Sequence, residues 1–359
     1  MLKQLQVKKF TVFHDEQFDF SKGLNVIVGE NSAGKSHLLK LAYALIATSA
    51  QAGKKLNGTE PTKTYLQKAY GDKLTGVFRP EELGRLASRK QGRERCEVAL
   101  VFDDTGLNTR ISFATNSKTD VRVDQLPARW ETQSPLYLPT RELLTIYPRF
   151  VSVYDNHYLE FEETWRDTCD HLSALTLKGK RADTTATLLE PLEAALGGKV
   201  VLDNNGRFYL NIPGSGNMEM PLVAEGYRKL AMLARLISNG IIQAQGYLFW
   251  DEPEANLNPR LIRLAAQVIH ALCLRGVQVF IATHSFFLLK ELDLLSRQQP
   301  IAQRFIGLNR EAGDLRVRSQ QVDSLAGLTS LVALDEELSQ YDRELSAGQH
   351  QELAHGQAD

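Results

Sequence analysis

The sequence contains few cysteines, no long apolar run and almost no excess charge. Its three cysteines, Cys96, Cys169 and Cys273, lie far apart and in no paired spacing, which excludes a disulfide framework or a cysteine-based zinc site and is typical of a reducing compartment. No stretch approaches the ~18 consecutive apolar residues that span a bilayer, and residues 1–10 alternate like a strand instead of forming a signal-peptide core. We therefore expect a soluble, cytoplasmic protein without a membrane partner.

Charge is balanced over the chain as a whole. With 42 Lys and Arg against 43 Asp and Glu, the formal net charge is −1, so no chain-wide attraction to nucleic acid is expected. Sustained heptads are also missing, and Pro80, Pro127, Pro135 and Pro139 interrupt the middle of the chain, which excludes a long coiled-coil arm. The 359 residues are enough for one large domain or two of ordinary size.

A glycine-rich loop occupies residues 29–36. It reads G-x-x-x-x-G-K-S, follows an apolar run at 24–28 and precedes a helical pattern, a context in which backbone N–H groups and the helix N-terminus surround phosphate oxygens. Lys35 is expected to reach the β- and γ-phosphates, and the Ser36 hydroxyl to bind Mg²⁺. The predicted phosphate-binding positions are Gly29, Asn31, Ser32, Ala33, Gly34, Lys35, Ser36 and His37.

Two acidic residues follow a short apolar run at 247–250. All four residues of that run are large and apolar, as in a buried parallel strand, and the carboxyl end of such a strand is where open α/β sheets place their ligands. We therefore predict that Asp251 supports Mg²⁺ through a water molecule. Glu252, the next residue, is predicted to orient and deprotonate an attacking water.

A second apolar run, at 277–282, ends in Thr283, His284 and Ser285. One predicted helix, from about residue 259 to 275, separates it from the first run, so the carboxyl ends of both strands are expected at the same sheet edge. A lone histidine is more often structural than catalytic. This position nevertheless predicts that the His284 imidazole hydrogen-bonds a γ-phosphate or holds the attacking water.

Together these motifs resemble the ABC-type ATPases, with a Walker A motif at 29–36, a Walker B motif at 247–252, a D-loop at 254–258 and a switch histidine at 284. The lead-in to the first motif, over residues 4–31, narrows the resemblance to RecF-, SMC- and OLD-like members. The resemblance implies an α/β fold: an ABC-type P-loop NTPase head with a mixed core sheet, an antiparallel side sheet and an inserted helical and basic subdomain. It also implies ATP and Mg²⁺ as cofactors.

The same resemblance requires a signature loop that completes the site of a second subunit. The best match centres on Gly226, whose backbone N–H is expected to reach the partner's γ-phosphate, and Asn256 of the D-loop is expected to act in trans as well. Ala224 stands where the family usually has serine, so Arg228 or Lys229 is expected to supply charge instead. An ordinary helix start is the alternative interpretation. If the loop acts in trans, the active unit is at least a head-to-tail dimer.

A Q-loop residue, which senses the γ-phosphate or the metal, is implied near the end of a strand at 136–138. Glu142 and Arg141 follow that strand and Gln133 precedes it, and the sequence does not decide among the three. Residues 52–95 carry 11 Lys and Arg against 5 Asp and Glu, which favours either a solvated insertion or a DNA-binding surface.

The rest of the middle of the chain is predicted from short patterns. An antiparallel sheet is expected from 96–102, 110–113 and 136–138, helices from 140–196, and a hairpin from 200–210 with its turn at 204–206. The predicted division is 1–51 (N-terminal part of the head with Walker A), 52–95 (basic insertion), 96–139 (antiparallel sheet), 140–197 (helical subdomain), 198–330 (C-terminal part of the head) and 331–359 (acidic tail, either a docking surface or a solvated end).

The resemblance implies an ATP-binding and ATP-hydrolysing switch. A head without an arm is similar to stand-alone ATPases of bacterial anti-phage systems such as PARIS or Septu, in which the ATPase senses infection and controls a separate effector protein. A RecF-like DNA-repair ATPase, which binds DNA in an ATP-dependent way, is the alternative. A transporter ATPase is the third candidate, and it requires a membrane partner.

Overall fold

The computed structural model describes residues 1–56, 58–87, 94–157, 159–310 and 316–329, together with 336, 339, 340, 343 and 344; the side chains of 180–184 are outside this description. Three basic residues of the predicted insertion, Arg89, Lys90 and Arg93, and most of the predicted acidic tail at 331–359 also lie outside the described residues. The predictions made for them therefore stay predictions.

The secondary structure begins with strands and alternates from there. In chain order the strands are β1 (Leu2–Phe10), β2 (Phe13–Asp19), β3 (Leu24–Gly29), β4 (Arg95–Phe102), β5 (Thr109–Ala114), β6 (Arg122–Gln125), β7 (Pro135–Leu138), β8 (Lys199–Leu202), β9 (Phe208–Ile212), β10 (Gly216–Glu219), β11 (Tyr247–Asp251), β12 (Gln278–Thr283), β13 (Gln303–Arg310) and β14 (Val317–Val322). The α-helices are α1 (Lys35–Lys55), α2 (Lys63–Phe78), α3 (Phe150–Asn156), α4 (Glu163–Leu172), α5 (Lys180–Leu196), α6 (Glu225–Ser238), α7 (Ile241–Ala244), α8 (Pro259–Leu274) and α9 (Phe286–Gln298).

The core of the fold is a six-stranded sheet in the order β14-β13-β3-β12-β11-β7. β14 runs antiparallel to β13, and the other neighbours are parallel. Every residue of β11 and β12 is buried, because helices or a second sheet cover both faces of parallel strands. The predicted mixed core sheet is confirmed.

Two apolar cores cover the two faces of this sheet. On one face Leu248 and Trp250 of β11 pack with the apolar sides of α6 and α8. On the other face Phe249 packs with α1 and with the antiparallel sheet β2-β1-β4-β5-β6. Successive side chains of β11 therefore pack on opposite faces of the sheet. This packing on both faces fixes the position of the last residue of the strand, Asp251.

The strand at 136–138 belongs to the core sheet, so its predicted place in the antiparallel sheet is wrong. β7 runs parallel to β11, with Leu138 opposite Trp250. The physical reason is that all four residues of β7 are buried, which requires cover on both faces, whereas an antiparallel side sheet needs only one buried face. The strands predicted at 96–102 and 110–113 do form the antiparallel sheet, as β4 and β5.

The first part of the predicted basic insertion is packed helix instead of solvated chain. α1 continues to Lys55. α2 starts at Lys63, and the hydroxyl of its N-cap residue, Thr62, accepts a hydrogen bond from the Tyr65 N–H as N-caps do. Lys73 of α2 is 5% exposed and its ammonium lies 2.6 Å from the Asp167 carboxylate of α4. A buried ion pair of this kind needs both partners, so α2 is tied to α4.

Three helices lie within the stretch predicted as helical, although residues 140–149 are not helical, and a hairpin lies at the predicted position. The helices are α3, α4 and α5, and the hairpin is β8 and β9, joined through a turn in which Gly206 has φ +76°. A third strand, β10, extends the hairpin into a small sheet and leads the chain towards α6. Within the described residues, no helix has both the length and the apolarity needed to cross a bilayer.

Candidate nucleotide-binding site

Three neighbouring strands of the core sheet deliver the predicted motifs to one edge. Val28 of β3 is paired with Thr283 of β12, and Asp251 of β11 is paired with Ala282 of β12. The glycine-rich loop, the acidic pair and His284 therefore leave the sheet side by side. Their closeness is direct, because the Ser36 hydroxyl donates a 3.0 Å hydrogen bond to Oδ1 of Asp251.

The glycine-rich loop has a backbone that only glycine fits at two positions. Gly34 has φ +93°, and a Cβ there would lie 2.6 Å from Cγ2 of Val12; a Cβ on Gly29, at φ +155°, would lie 2.5 Å from the Leu308 carbonyl oxygen. Gly34 is also the N-cap of α1, so the loop ends at a helix N-terminus whose free N–H groups face the loop. This is a ready-made cradle for phosphate.

The Lys35 side chain bonds back to the backbone of its own loop. Its ammonium donates hydrogen bonds to the carbonyl oxygens of Gly29 (2.8 Å) and Glu30 (2.9 Å). Burial lowers the pKa of Lys35, and the nearby carboxylates of Glu252 and Asp251 partly oppose that shift. The cation thus sits within the loop and close to two acidic groups, where an anionic ligand would relieve its desolvation.

Asp251 is held from two sides. Its Oδ1 accepts the Ser36 hydroxyl, and its Oδ2 accepts the Tyr137 hydroxyl of β7 at 3.2 Å. Burial raises the pKa of this carboxyl, since no cation compensates its desolvation fully. A hydroxyl and a carboxylate 3.0 Å apart at a phosphate loop are the hard oxygen ligands that Mg²⁺ prefers. The residues present therefore fit a magnesium ion.

Tyr137 is a site residue that the sequence analysis did not single out. Its contact with Asp251 depends on β7 lying beside β11, and no local sequence pattern predicts that strand pairing. Behind it, the ring of Tyr43 lies 5.3 Å from the Tyr137 ring, and the Tyr43 hydroxyl donates a 2.6 Å hydrogen bond to Asp167. The two tyrosine rings thus lie between the predicted metal carboxylate, Asp251, and the Asp167–Lys73 pair.

Glu252 has a backbone conformation that is unusual for a side chain of its size. Its φ is +47°, a left-handed region that costs a non-glycine residue of order 1 kcal/mol or more, and its N–H donates to the Ala282 carbonyl at 2.9 Å. His284 lies beside it, with Nδ1 3.5 Å from Glu252 Oε1. The predicted base and the predicted switch histidine are therefore neighbours at the sheet edge.

Glu254 is a second residue whose role the sequence analysis missed, because it was included only as the start of the D-loop. It is 7% exposed, and its Oε1 accepts the Thr283 hydroxyl at 2.6 Å and the His284 N–H at 3.2 Å. Its Oε2 is buried and has no hydrogen-bond partner among the described residues. The sequence signal for it was a third acidic residue, two positions after the Walker B pair Asp251 and Glu252.

The segment predicted as a signature loop contains the start of α6. The helix starts at Glu225, and Ala224 occupies the N-cap without a side-chain hydrogen bond, which matches the predicted loss of the serine hydroxyl. Gly226 lies in the first turn, and a Cβ there would come within 2.4 Å of the Asn256 carbonyl oxygen. The two residues predicted to act in trans, Gly226 and Asn256, are therefore in contact within the same chain.

The three Q-loop candidates lie in different surroundings. Gln133 precedes β7 and its side chain packs against Gly246, at the end of the sheet opposite Asp251. Glu142 follows β7 but is buried, with Oε1 2.8 Å from Nε of Arg228. Arg141 follows the same strand and is exposed. Only Arg141 combines the correct sheet end with exposure to solvent.

His37 faces away from the loop. Its ring lies edge-on to Phe78 at 5.6 Å, and burial lowers its pKa. Within the part of the chain that the structure describes, its Nδ1 is buried and has no hydrogen-bond partner. The imidazole thus packs between α1 and the end of α2. A phosphate contact at position 37 would have to come from the backbone N–H.

The fold and these motifs define an ABC-type P-loop ATPase with an SMC-like head. The sequence matches, over residues 24–290, the family model described as "AAA domain, putative AbiEii toxin, Type IV TA system". The match covers most of the 359 residues, and the chain belongs to this family. No curated protein matches the sequence.

Solved structures of SMC heads are similar in fold. An SMC head bound to the C-winged helix domain of ScpA is 15% identical in sequence, with 90% of this chain and 98% of that chain covered and a TM-score of 0.53. An Smc head domain with an extended coiled coil, bound to the C-terminal domain of ScpA and derived from Pyrococcus furiosus, is 11% identical, with 95% and 98% covered and a TM-score of 0.50. At these identities the likeness concerns the fold alone.

Proposed function

We propose that this protein binds ATP with Mg²⁺, hydrolyses it and uses the cycle to change its assembly. The observation that carries the proposal is the meeting of Lys35, the Ser36–Asp251 pair, and the Glu252–His284 pair at one edge of the core sheet. Each of these groups has a role in phosphoryl transfer from ATP to water. A strand ending in a merely solvated acidic turn would not bury Asp251.

The residues divide the chemistry between them. Lys35 and the N–H groups of the loop bind the β- and γ-phosphates, while Ser36 and Asp251 hold Mg²⁺, which neutralises charge on the phosphate oxygens. Glu252 takes a proton from the attacking water and orients it. His284, beside Glu252, donates a hydrogen bond to the γ-phosphate or to that water.

The proposal includes a second copy of the chain. Gly226 and Asn256 lie together near the start of α6 and are assigned to the partner's γ-phosphate. Leu222 is 73% exposed and Tyr227 37% exposed in the same region, and contact with a second copy would cover this apolar surface. ATP then joins two heads in a head-to-tail dimer or a larger assembly, and hydrolysis separates them.

The biological role that we propose is a switch in bacterial anti-phage defence, in which the ATPase senses infection and controls a separate effector protein. The family description names a toxin and a toxin–antitoxin system, which supports a partner-controlled toxic activity. The SMC heads with bound ScpA domains support a head that docks another protein. The DNA-repair alternative would use basic residues of the segment 52–95 to bind DNA. Two of them, Arg79 and Arg95, already donate hydrogen bonds within the chain, to the Leu159 carbonyl and the Ser112 hydroxyl, which does not favour this alternative.

Solution mass, measured by light scattering, tests the proposal. Glu252→Gln should bind ATP and hydrolyse it only at a small residual rate, so its mass should rise with ATP and Mg²⁺ and stay raised. Lys35→Ala, combined with Glu252→Gln, should abolish the rise because ATP no longer binds. A Glu252→Gln protein that binds ATP and stays monomeric would contradict the trans assignment of Gly226. A wild-type protein without ATPase activity would contradict the proposed reaction.

A further inference from the structure

The N-terminal part of α6 carries two consecutive cations, Arg228 and Lys229, that contact the segments after two neighbouring core strands. Arg228 extends to Glu142, in the segment after β7. Lys229 extends to the segment after β11, where its ammonium donates hydrogen bonds to the carbonyl oxygens of Glu252 and, at 3.4 Å, Ala255. The helix that carries Gly226 is thus tied to the ends of two neighbouring core strands.

Lys229 is an uncommon kind of lysine. It is 2% exposed, and an ammonium is rarely buried so completely unless it is paired. In the described chain its hydrogen-bond acceptors are both backbone carbonyls. Burial lowers its pKa to about 8, opposed by the nearby charges of Glu254, Glu252 and Asp251. Burying this cation costs desolvation free energy, and its hydrogen bonds go to the backbone of one turn. This combination indicates that the cation holds the geometry of that turn.

The turn that Lys229 contacts is bounded by two left-handed residues. Glu252 has φ +47° and Asn256 has φ +63°, so each end of the turn stores strain that surrounding contacts must hold in place. The carbonyls that Lys229 binds belong to the first residue of the turn and to the residue before its last. Loss of this cation would let the strained turn relax and would redirect both side chains.

We propose that Lys229 is a positioning residue that fixes the turn from Glu252 to Asn256. It aims the Glu252 carboxylate in the chain's own site and holds Asn256 against Gly226 for the second site. This inference deepens the proposed function and rests on it. The sequence analysis expects Arg228 or Lys229 to supply charge in a partner's site. The present inference differs, because the Lys229 side chain acts inside its own subunit.

The test compares Lys229→Met with a matched variant, Arg235→Met. Arg235 is also a buried cation of α6, 3% exposed, and it also donates to backbone carbonyls, those of Leu172 (3.2 Å) and Ala174 (2.7 Å), away from the nucleotide site. Both variants remove a buried cation from the same helix. ATP affinity, kcat and KM for ATP, and the unfolding midpoint are measured for each.

We expect Lys229→Met to keep ATP affinity, since the loop at 29–36 is untouched, and to lose roughly a hundredfold in kcat, the scale of a misplaced catalytic group. Arg235→Met should lose stability and keep kcat. Lys229→Gln, which retains a hydrogen-bond donor, should recover part of the lost rate and replaces Lys229→Met if the latter does not fold. Equal kcat values for Lys229→Met and the wild type would overturn the inference.

A second measurement separates positioning from general damage. Because Lys229 acts through Glu252, adding Lys229→Met to Glu252→Gln should lower the residual rate by less than about twofold, whereas independent effects would multiply. A full multiplicative loss in the double variant would contradict the positioning role. A wild-type protein without ATPase activity would instead end the proposed function itself, so the two failures are distinguishable.

Discussion

The Tyr137 hydroxyl donates a 3.2 Å hydrogen bond to Oδ2 of Asp251. On its other side the same carboxylate accepts the Ser36 hydroxyl at 3.0 Å, so both oxygens are oriented before any metal binds. Second-layer hydrogen bonds of this type commonly tune metal affinity. The tyrosine comes from β7, the strand that the sequence analysis had assigned to the wrong sheet, and this relationship leads to the first prediction.

Tyr137→Phe should weaken the response to magnesium. The substitution removes only the hydroxyl that orients Asp251, and outer-layer changes typically cost about 10- to 100-fold in metal affinity or activity. The Mg²⁺ concentration that gives half-maximal ATPase activity should rise by about tenfold or more. Tyr43→Phe is the control, because it removes the bond to Asp167 and leaves Asp251 untouched. An unchanged Mg²⁺ dependence in Tyr137→Phe would refute the second-layer role.

Glu254→Ala should destabilise the site from within. It leaves the Thr283 hydroxyl and the His284 N–H without their acceptor, and an unsatisfied buried polar group costs about 1–3 kcal/mol. We expect a lower midpoint in urea unfolding and, because the peptide at His284 shifts, a reduced kcat. Glu81→Ala, at a surface residue with an 81% exposed side chain, should change neither quantity. Normal stability in Glu254→Ala would show that the carboxylate is dispensable.

Gly226→Ala should separate assembly from nucleotide binding. Its Cβ would lie 2.4 Å from the Asn256 carbonyl, so the D-loop must move while the loop at 29–36 stays intact. ATP binding should persist, and the ATP-dependent mass increase of the Glu252→Gln protein should be lost. Ala224→Ser, which adds a hydroxyl at the N-cap of α6, is the control: N-cap serine is favoured by about 0.5–2 kcal/mol over alanine, and assembly should survive. If Gly226→Ala assembled fully, the assigned contact between Gly226 and the second subunit would be contradicted.

Lys229 should leave a signature in the pH dependence of stability. Its pKa is lowered from 10.5 to about 8 in the folded chain, so between these values the unfolded chain binds the extra proton. The free energy of unfolding therefore rises with pH in this window, by at most about 1.4 kcal/mol per pH unit. Below about pH 8 the lysine is protonated in both the folded and the unfolded chain, so it adds no slope. Urea unfolding at several pH values should show this slope in the wild type and in Arg235→Met. If Lys229→Met had the same slope, the lysine would not be its source.

Several elements could be predicted from sequence because their signals are local. The loop at 29–36 carries its glycines at the positions where the backbone is left-handed or closely packed, as Gly34 shows. The strand ending at Asp251 and the helix starting at Pro259 are equally local, the latter with an Asn258 side chain that accepts the Leu261 N–H. Spacing and capping chemistry are properties of a few consecutive residues, which is why these predictions succeeded.

The partners of those elements required the tertiary structure. Whether residues 135–138 join the core sheet or the side sheet depends on what covers their second face, and that cover comes from distant parts of the chain. The basic composition of 52–95 favoured either a solvated insertion or a DNA-binding surface, but the burial of Lys73 depends on Asp167, 94 residues away. Net charge per segment does not reveal which charges are paired.

From the sequence alone came the candidate groups: the glycine-rich loop at 29–36, the acidic pair Asp251 and Glu252, and His284, each after a predictable strand. How these groups are held became visible in the folded chain, through the hydrogen bonds of Tyr137 to Asp251, of Glu254 to the His284 N–H and of Lys229 to the Glu252 carbonyl. The reason is physical: motifs are set by local backbone geometry, whereas orientation depends on hydrogen bonds between segments that only the packing of sheet and helices brings together.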